Sequence, residues 1–373
     1  MSKAGIYLHI PFCRSRCSYC DFATNVYKSA EIVEGYISAL VREIENFPTQ
    51  KIVDTIYFGG GTPSLLSPAQ IEKILDAIYR KFSVAGDSEI TMEMNPATVT
   101  LETLKSYKNL GLTRASFGAQ TFDDTELRRL GRKHTAQDVR ETIELLREAD
   151  FANVSFDLIA GLPRQTLKDW ARNLDEALKL QPEHLSLYLL EIHEATPLAE
   201  QIRSGRQPLP DEDLAARMYE LLLEKVSVKN YRQYEISNFA QPNFESRHNS
   251  KYWTLDAVFG FGCSAHSFDG ANIRWANEPD TAKYVSLIEQ ENSAIARREE
   301  IDAASEFIFL GLRLMKGVEL SEYENRFGVD LIEKYSEELK RLEDLELIEI
   351  AENRLKLTNR GSLFSNEVFA VFV

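Results

Sequence analysis

Cysteine is scarce in this chain, four in 373 residues. That is too few to staple a fold of this size with disulfides. No apolar run approaches the roughly 20 residues that cross a bilayer. The opening Met1-Ser2-Lys3-Ala4-Gly5-Ile6-Tyr7 carries no signal-peptide core and is expected to pass straight into a strand. Basic residues are outnumbered, 43 Lys plus Arg against 58 Asp plus Glu, for a formal charge of −15. Such a balance argues against non-specific binding to nucleic acid or to an anionic membrane surface. The expectation is a cytoplasmic protein that is neither an integral membrane protein nor a nucleic-acid binder. No internal repeat or low-complexity segment stands out. Core-forming residues are plentiful, with 44% hydrophobic, enough for one large domain or a large and a small one.

Three of the four cysteines fall within eight residues, Cys13, Cys17 and Cys20, spaced C-x3-C-x2-C. Soft thiolates suit an iron–sulfur cluster or zinc. Structural zinc wants four ligands, and the one close fourth candidate, His9, lies inside a strand pattern. Three thiolates can hold three corners of a [4Fe–4S] cube and leave the fourth iron open to a small molecule. The fourth cysteine, Cys263, is remote and reads as a small buried residue.

Short β-rich runs alternate with helical patterns. Strands are expected near 6–10, 55–58, 89–94, 114–117, 154–159 and 185–190, and helices near 30–46, 68–81, 101–110, 136–149 and 167–178. Ile71, Ile74, Leu75 and Ile78 form one helical stripe; Thr135 suits an N-cap and Pro68 a first turn. Alternation of this kind builds βαβ crossovers and a parallel sheet. Six strands are fewer than a closed eight-stranded barrel needs, so the expected α/β fold is an open, partial (β/α)6 barrel. The cysteine loop, Gly59-Gly60-Gly61-Thr62, Glu93, Gln120 and Asp157 are all expected at strand C-terminal ends, where sites of parallel barrels lie.

The tail differs. Helical patterns near 303–315, 319–327 and 331–345 precede a hairpin, 347–351 and 355–358 around Glu352-Asn353. This reads as a winged-helix-like α+β domain over residues 301–373, after a barrel domain over 1–300. Its acidic residues, among them Glu337, Glu338, Glu343 and Asp344, would repel phosphates, so packing is expected of it rather than DNA binding.

The cysteine spacing, with Tyr19 before the last cysteine, resembles the signature of the radical S-adenosylmethionine superfamily. The resemblance implies a [4Fe–4S] cluster on Cys13, Cys17 and Cys20, with S-adenosylmethionine chelated to the open iron and cleaved by an electron from the cluster. It also implies contacts to that cofactor. Gly60, Gly61 and Thr62 would form the methionine-binding turn, and Glu93 in an E-x-N-P run would touch the ligand. Arg132 has the fork for a carboxylate, and Gln120 and Asp157 can accept from ribose hydroxyls. Tyr7 and Tyr19 would lie beside the cluster.

Tyr7-x-His9-Ile10-Pro11-Phe12-Cys13, Gly59-Gly60-Gly61-Thr62-Pro63, Gly118-Ala119-Gln120 and 157–163 together resemble the oxygen-independent coproporphyrinogen III oxidase group. That group contains true oxidases and heme chaperones of the HemW type. The oxidases carry a cysteine two residues after the third cluster cysteine, where this chain has Phe22, and a longer segment before the first strand. Arg247-His248-Asn249-Ser250-Lys251-Tyr252-Trp253 resembles the H-N-x-x-Y-W heme motif of the chaperones. His248 offers an imidazole to heme iron; Tyr252 and Trp253 offer flat apolar faces; His266 is a further candidate. The implied function is a heme chaperone that hands heme to apo hemoproteins, membrane-bound respiratory proteins among them, with a reductant for the cluster. The alternatives are radical decarboxylation of coproporphyrinogen III and radical modification or opening of heme.

Overall fold

The computed structural model describes residues 3–27, 29–48 and 51–373. Its centre is the expected alternation. Strands β1 (Ala4–Ile10), β2 (Val53–Gly60), β3 (Val84–Met94), β4 (Arg114–Gln120), β5 (Val154–Ala160) and β6 (His184–Leu189) are joined through helices α1 (Ala30–Asn46), α2 (Pro68–Lys81), α3 (Leu101–Asn109), α4 (Ala136–Glu148) and α5 (Leu167–Lys179). Local chemistry explains the helix starts. Ser67, Thr135 and Thr166 each accept from the third helical amide while the residue there bonds back, closing capping boxes. Each helix buries one stripe; α5 buries Trp170, Leu174, Ala177 and Leu178, with the Trp170 indole donating to the Met218 carbonyl at 2.9 Å.

The parallel array has seven strands rather than six. Strand β9 (Val258–Phe261) pairs in parallel with the free edge of β1. Antiparallel strands extend both flanks. β7 (Arg232–Glu235) and β8 (Asn238–Ala240) lie beyond β6, and β10 (His266–Phe268), β11 (Ile273–Asn277) and β12 (Ile295–Glu300) lie beyond β9. Among the described residues these twelve strands form one mixed sheet, in the order β12-β11-β10-β9-β1-β2-β3-β4-β5-β6-β8-β7. Among the described residues no strand pairing joins its two antiparallel edges.

Alternation along the strands divides the residues. Ile56, Phe58, Ile90, Met92, Ala115 and Phe117 join the apolar layer under the helices. Thr55, Tyr57, Thr91, Glu93, Ser116 and Asp157 occupy the other face, the barrel interior. The N-terminal end of that interior is closed by a helix from far along the chain, α7 (Arg247–Trp253), which follows α6 (Glu212–Ser227) and precedes α8 (Thr281–Glu291). Its first amides, Arg247 N–H and His248 N–H, donate to the Glu89 carboxylate at 3.2 and 3.0 Å. Lys251 reaches the Lys3 carbonyl and Asp54, both at 2.8 Å.

Beyond residue 300 a second apolar cluster gathers Phe307, Ile308, Leu312, Tyr323, Leu339, Leu342 and Leu355. Helices α9 (Ala303–Gly311), α10 (Leu320–Phe327) and α11 (Ser336–Asp344) precede the hairpin β13 (Ile348–Ala351) and β14 (Arg354–Leu357). Glu352 and Asn353 both take left-handed conformations, the requirement of a two-residue hairpin turn. Val318–Glu319 adds a third strand beside β14, giving helices and a wing. The same cluster takes in Leu255 and Phe268 from the barrel side. Arg313 ties the parts together: its guanidinium lies 4.4 Å from the Trp253 ring centre and 3.7 Å from the fully buried Glu235 carboxylate.

Candidate functional site

The cysteine loop leaves β1 at its C-terminal end. Two short strands, Phe12–Cys13 and Asn25–Val26, pair in parallel and close the loop at its base. Asn25 N–H to the Pro11 carbonyl (2.7 Å) and Tyr27 N–H to the Cys13 carbonyl (2.8 Å) fix that closure. Across the rim, Ser18 N–H donates to the Leu130 carbonyl at 2.9 Å, and Leu198 N–H to the Ser18 carbonyl at 2.8 Å. Tyr19 packs against Leu130, Ile159 and Leu162.

The glycine turn lies directly under this loop. Gly61 N–H donates to the Ile10 carbonyl and Thr62 N–H to the Phe12 carbonyl, each at 2.8 Å. Gly60 has φ +103°, and a Cβ there would sit 2.7 Å from the His9 ring, so glycine is required twice over. The Glu93 carboxylate accepts from Gly60 N–H at 3.1 Å and from the Tyr57 hydroxyl at 2.7 Å. Burial pushes Glu93 up to about 7, with the Tyr57 hydrogen bond pulling the other way. Glu93 thus holds the turn in position.

Thr62, Asn95 and Arg132 form a relay to the thiols. The Thr62 hydroxyl accepts from the Asn95 amide at 2.7 Å and lies 3.5 Å from Cys13 Sγ. Arg132 donates to Asn95 Oδ1 at 2.7 Å and to the Gly118 carbonyl, and its second nitrogen lies 3.6 Å from Cys17 Sγ. Gln120 sits at the end of β4 with φ +65°, beside a register shift against β5. A left-handed conformation costs a non-glycine residue about 1 kcal/mol. Asp157 lies in the middle of β5 rather than at its end. Burial pushes it up to about 6, opposed by the Ser186 hydroxyl and the charges of Arg114 and Arg132. Tyr7, in mid-β1, stacks on Tyr57 with ring centres 6.1 Å apart and bonds His9 at 3.2 Å.

These residues fit a thiolate-bound cluster. Burial raises Cys13 and pushes Cys20 up to about 11, so the metal-free loop holds both as thiols and metal loading releases protons. Thr62 and Arg132 place donors at Cys13 and Cys17, and hydrogen bonds to ligating sulfurs tune the potential of such a centre. Among the described residues no three His, Cys, Asp or Glu side chains converge on a single-ion site. Inside the barrel, Thr91 Oγ1 and two guanidinium nitrogens of the 1%-exposed Arg114 have no protein partner among the described residues. Buried polar atoms of this kind are matched by a ligand or by water.

The motif around His248 lies elsewhere. From Thr55, which it touches, to Gly60 is five residues of β2, about 16 Å of strand. His248 is 1% exposed. Its Nδ1 meets the Thr55 hydroxyl at 2.9 Å, its Nε2 the Tyr252 hydroxyl at 3.1 Å, and its ring stacks on Tyr57 at 5.0 Å. Burial, then the Lys251 and Arg114 charges, push it down to about 3, so it is neutral. Tyr252 is partly exposed, and Trp253 is covered by Arg313. His266, on β10, is exposed. Cys263 is fully buried against the Tyr36 and Thr281 hydroxyls.

Sequence reasoning passed over Asn95, Arg114 and Glu89. Asn95-Pro96 was visible as part of a run, but its bridge to Arg132 spans 37 residues. Arg114 is marked only by being a cation that opens an apolar strand.

Fold and site together define a radical S-adenosylmethionine protein. The radical SAM superfamily model matches residues 7–177, and the HemN C-terminal domain model matches 299–364. Heme chaperone HemW of Bacillus subtilis is 38% identical, covering 98% of both chains, and HemW of Escherichia coli is 31% identical over 99% of this chain and 98% of that one. The mouse mitochondrial radical S-adenosyl methionine domain-containing protein 1 is 36% identical over 85% of this chain and 74% of its own. Among solved structures, coproporphyrinogen III oxidase (HemN) of Escherichia coli superposes with a TM-score of 0.87 at 23% identity, covering 99% of this chain and 90% of that one, a likeness of fold. The chain belongs to the HemW family.

Proposed function

We propose that this protein is a cytoplasmic heme chaperone that binds heme and passes it to apo hemoproteins, membrane-bound respiratory proteins among them. The observation that carries this reading is the 38% identity, over 98% of both chains, to a protein named a heme chaperone. Among the described residues no helix is long and apolar enough to cross a membrane, consistent with a carrier that visits its recipients.

Cys13, Cys17 and Cys20 hold a [4Fe–4S] cluster in this reading, which supplies one-electron reducing chemistry toward S-adenosylmethionine. Gly60, Gly61 and Thr62 present backbone and hydroxyl groups to the methionine end, Arg132 and Glu93 fix that turn, and Tyr7, Tyr19, Gln120 and Asp157 line the remainder. The exposed cations Arg14, Arg16, Arg128 and Lys133 around the loop suit an acidic reductant. Heme belongs on the side of α7 and β10, where His248, Tyr252, Trp253 and His266 gather.

Anaerobically reconstituted protein should take up ferric heme saturably and give it to an apo hemoprotein. Formation of protoporphyrinogen from coproporphyrinogen III under reducing conditions, with no heme uptake, would replace this reading by the oxidase. Loss of heme absorbance on adding reductant and S-adenosylmethionine would replace it by heme modification.

A further inference from the structure

Two histidines neighbour Tyr252, and they differ in accessibility. His248 is enclosed, with both ring nitrogens engaged by hydroxyls. His266 is exposed, and among the described residues no group hydrogen-bonds its ring. It lines a half-open cavity of about 260 Å³ whose wall is Tyr252, Leu255, Val258 and Phe268, with Asp256, Ser267 and Arg274 as its polar members. Four of those neighbours are apolar or aromatic, and Arg274 stacks over Phe268 while pairing with Glu306. A free imidazole on a largely apolar wall is the chemistry that holds the face of an iron porphyrin. The cavity is small beside the roughly 300–1,000 Å³ of enclosed ligand sites. It would therefore seat one face of the macrocycle and leave the other open, as transfer to another protein requires.

Resting on the heme-chaperone reading, we propose that His266 supplies the axial nitrogen to heme iron in this cavity, and that His248 is a positioning residue. The Nε2–hydroxyl contact of His248 holds the Tyr252 ring at the cavity wall. Burial, then the Arg274 and Arg297 charges, lowers the His266 pKa, and the Glu299 carboxylate opposes them.

The test is titration of the reconstituted full chain with ferric heme, followed at the Soret band, for wild type, His266→Ala, His248→Ala and His248→Gln. His266→Ala should shift the band and weaken binding about tenfold or more, and free imidazole should restore the wild-type band. The His248 variants should keep the band position while binding more weakly; His248→Gln, able to bond both hydroxyls, covers the case in which His248→Ala does not fold. A wild-type band and affinity in His266→Ala, or loss of the band in His248→Gln with His266 present, overturns the assignment while leaving the chaperone reading intact. Wild type that binds no heme overturns both.

Discussion

Gly61→Ala tests how the glycine turn and the cysteine loop are joined. Gly61 is not left-handed, so a methyl group there meets a purely steric obstacle. It would sit 2.8 Å from the Phe12 carbonyl oxygen, 2.9 Å from the Ile10 carbonyl oxygen and 2.9 Å from the Pro11 carbonyl carbon, all backbone. Nothing there can rotate away. The Ile10–Phe12 segment must retreat by roughly 0.6 Å to reach ordinary contact, and it carries Cys13. Overpacking of this kind costs about 1–3 kcal/mol. Bound centres also need their geometry held within about 0.5 Å. After anaerobic reconstitution the variant should therefore carry less iron and bind S-adenosylmethionine about tenfold more weakly. Iron and sulfide content, visible absorption and equilibrium dialysis measure this. The control is Gly35→Ala, in the middle of α1 with nothing within 4 Å of its new Cβ, which should add about 0.5–1 kcal/mol of stability. Full iron and wild-type affinity in Gly61→Ala would refute the reasoning.

Arg132→Lys keeps the charge but cannot reach Asn95, Gly118 and Cys17 at once; S-adenosylmethionine affinity should fall about tenfold by equilibrium dialysis, and an unchanged value would remove the relay. Glu93 at about 7 against an ordinary 4.5 binds a proton more tightly folded than unfolded, so its contribution is full below pH 4.5 and is lost as pH rises through 7. That loss is about 3 kcal/mol. Urea unfolding of metal-free wild type and Glu93→Gln at pH 5 and 8 isolates it, because groups shared by the two proteins cancel; equal pH dependence in both would contradict the assignment. Arg313→Met strands the buried Glu235 carboxylate and uncovers Trp253, and should cost about 3 kcal/mol by chemical denaturation; a loss under 1 kcal/mol would mean that Glu235 is already neutral.

The six core strands, the five helices between them and the wing were legible because each is a local pattern: alternation, a helical stripe, a capping residue, a left-handed pair at Glu352-Asn353. The cysteine loop was legible because its ligands lie within eight residues. What stayed hidden depends on distant pairing. Strand β9 has only four residues and meets β1 from some 250 positions away. His248 and Thr55 are 193 positions apart, and no periodicity reports that α7 closes the barrel's N-terminal end. The placement of Asp157 in mid-strand followed from the same limit. A charged residue in an apolar run shows that the strand has a polar inner face, while its depth depends on where the strand stops.

The most direct measurement is heme titration of the reconstituted chain followed by mixing with an apo hemoprotein, run beside a coproporphyrinogen III decarboxylation assay on the same preparation. The account predicts a saturable Soret band, its transfer to the recipient and no protoporphyrinogen. Protoporphyrinogen without saturable heme binding would contradict it.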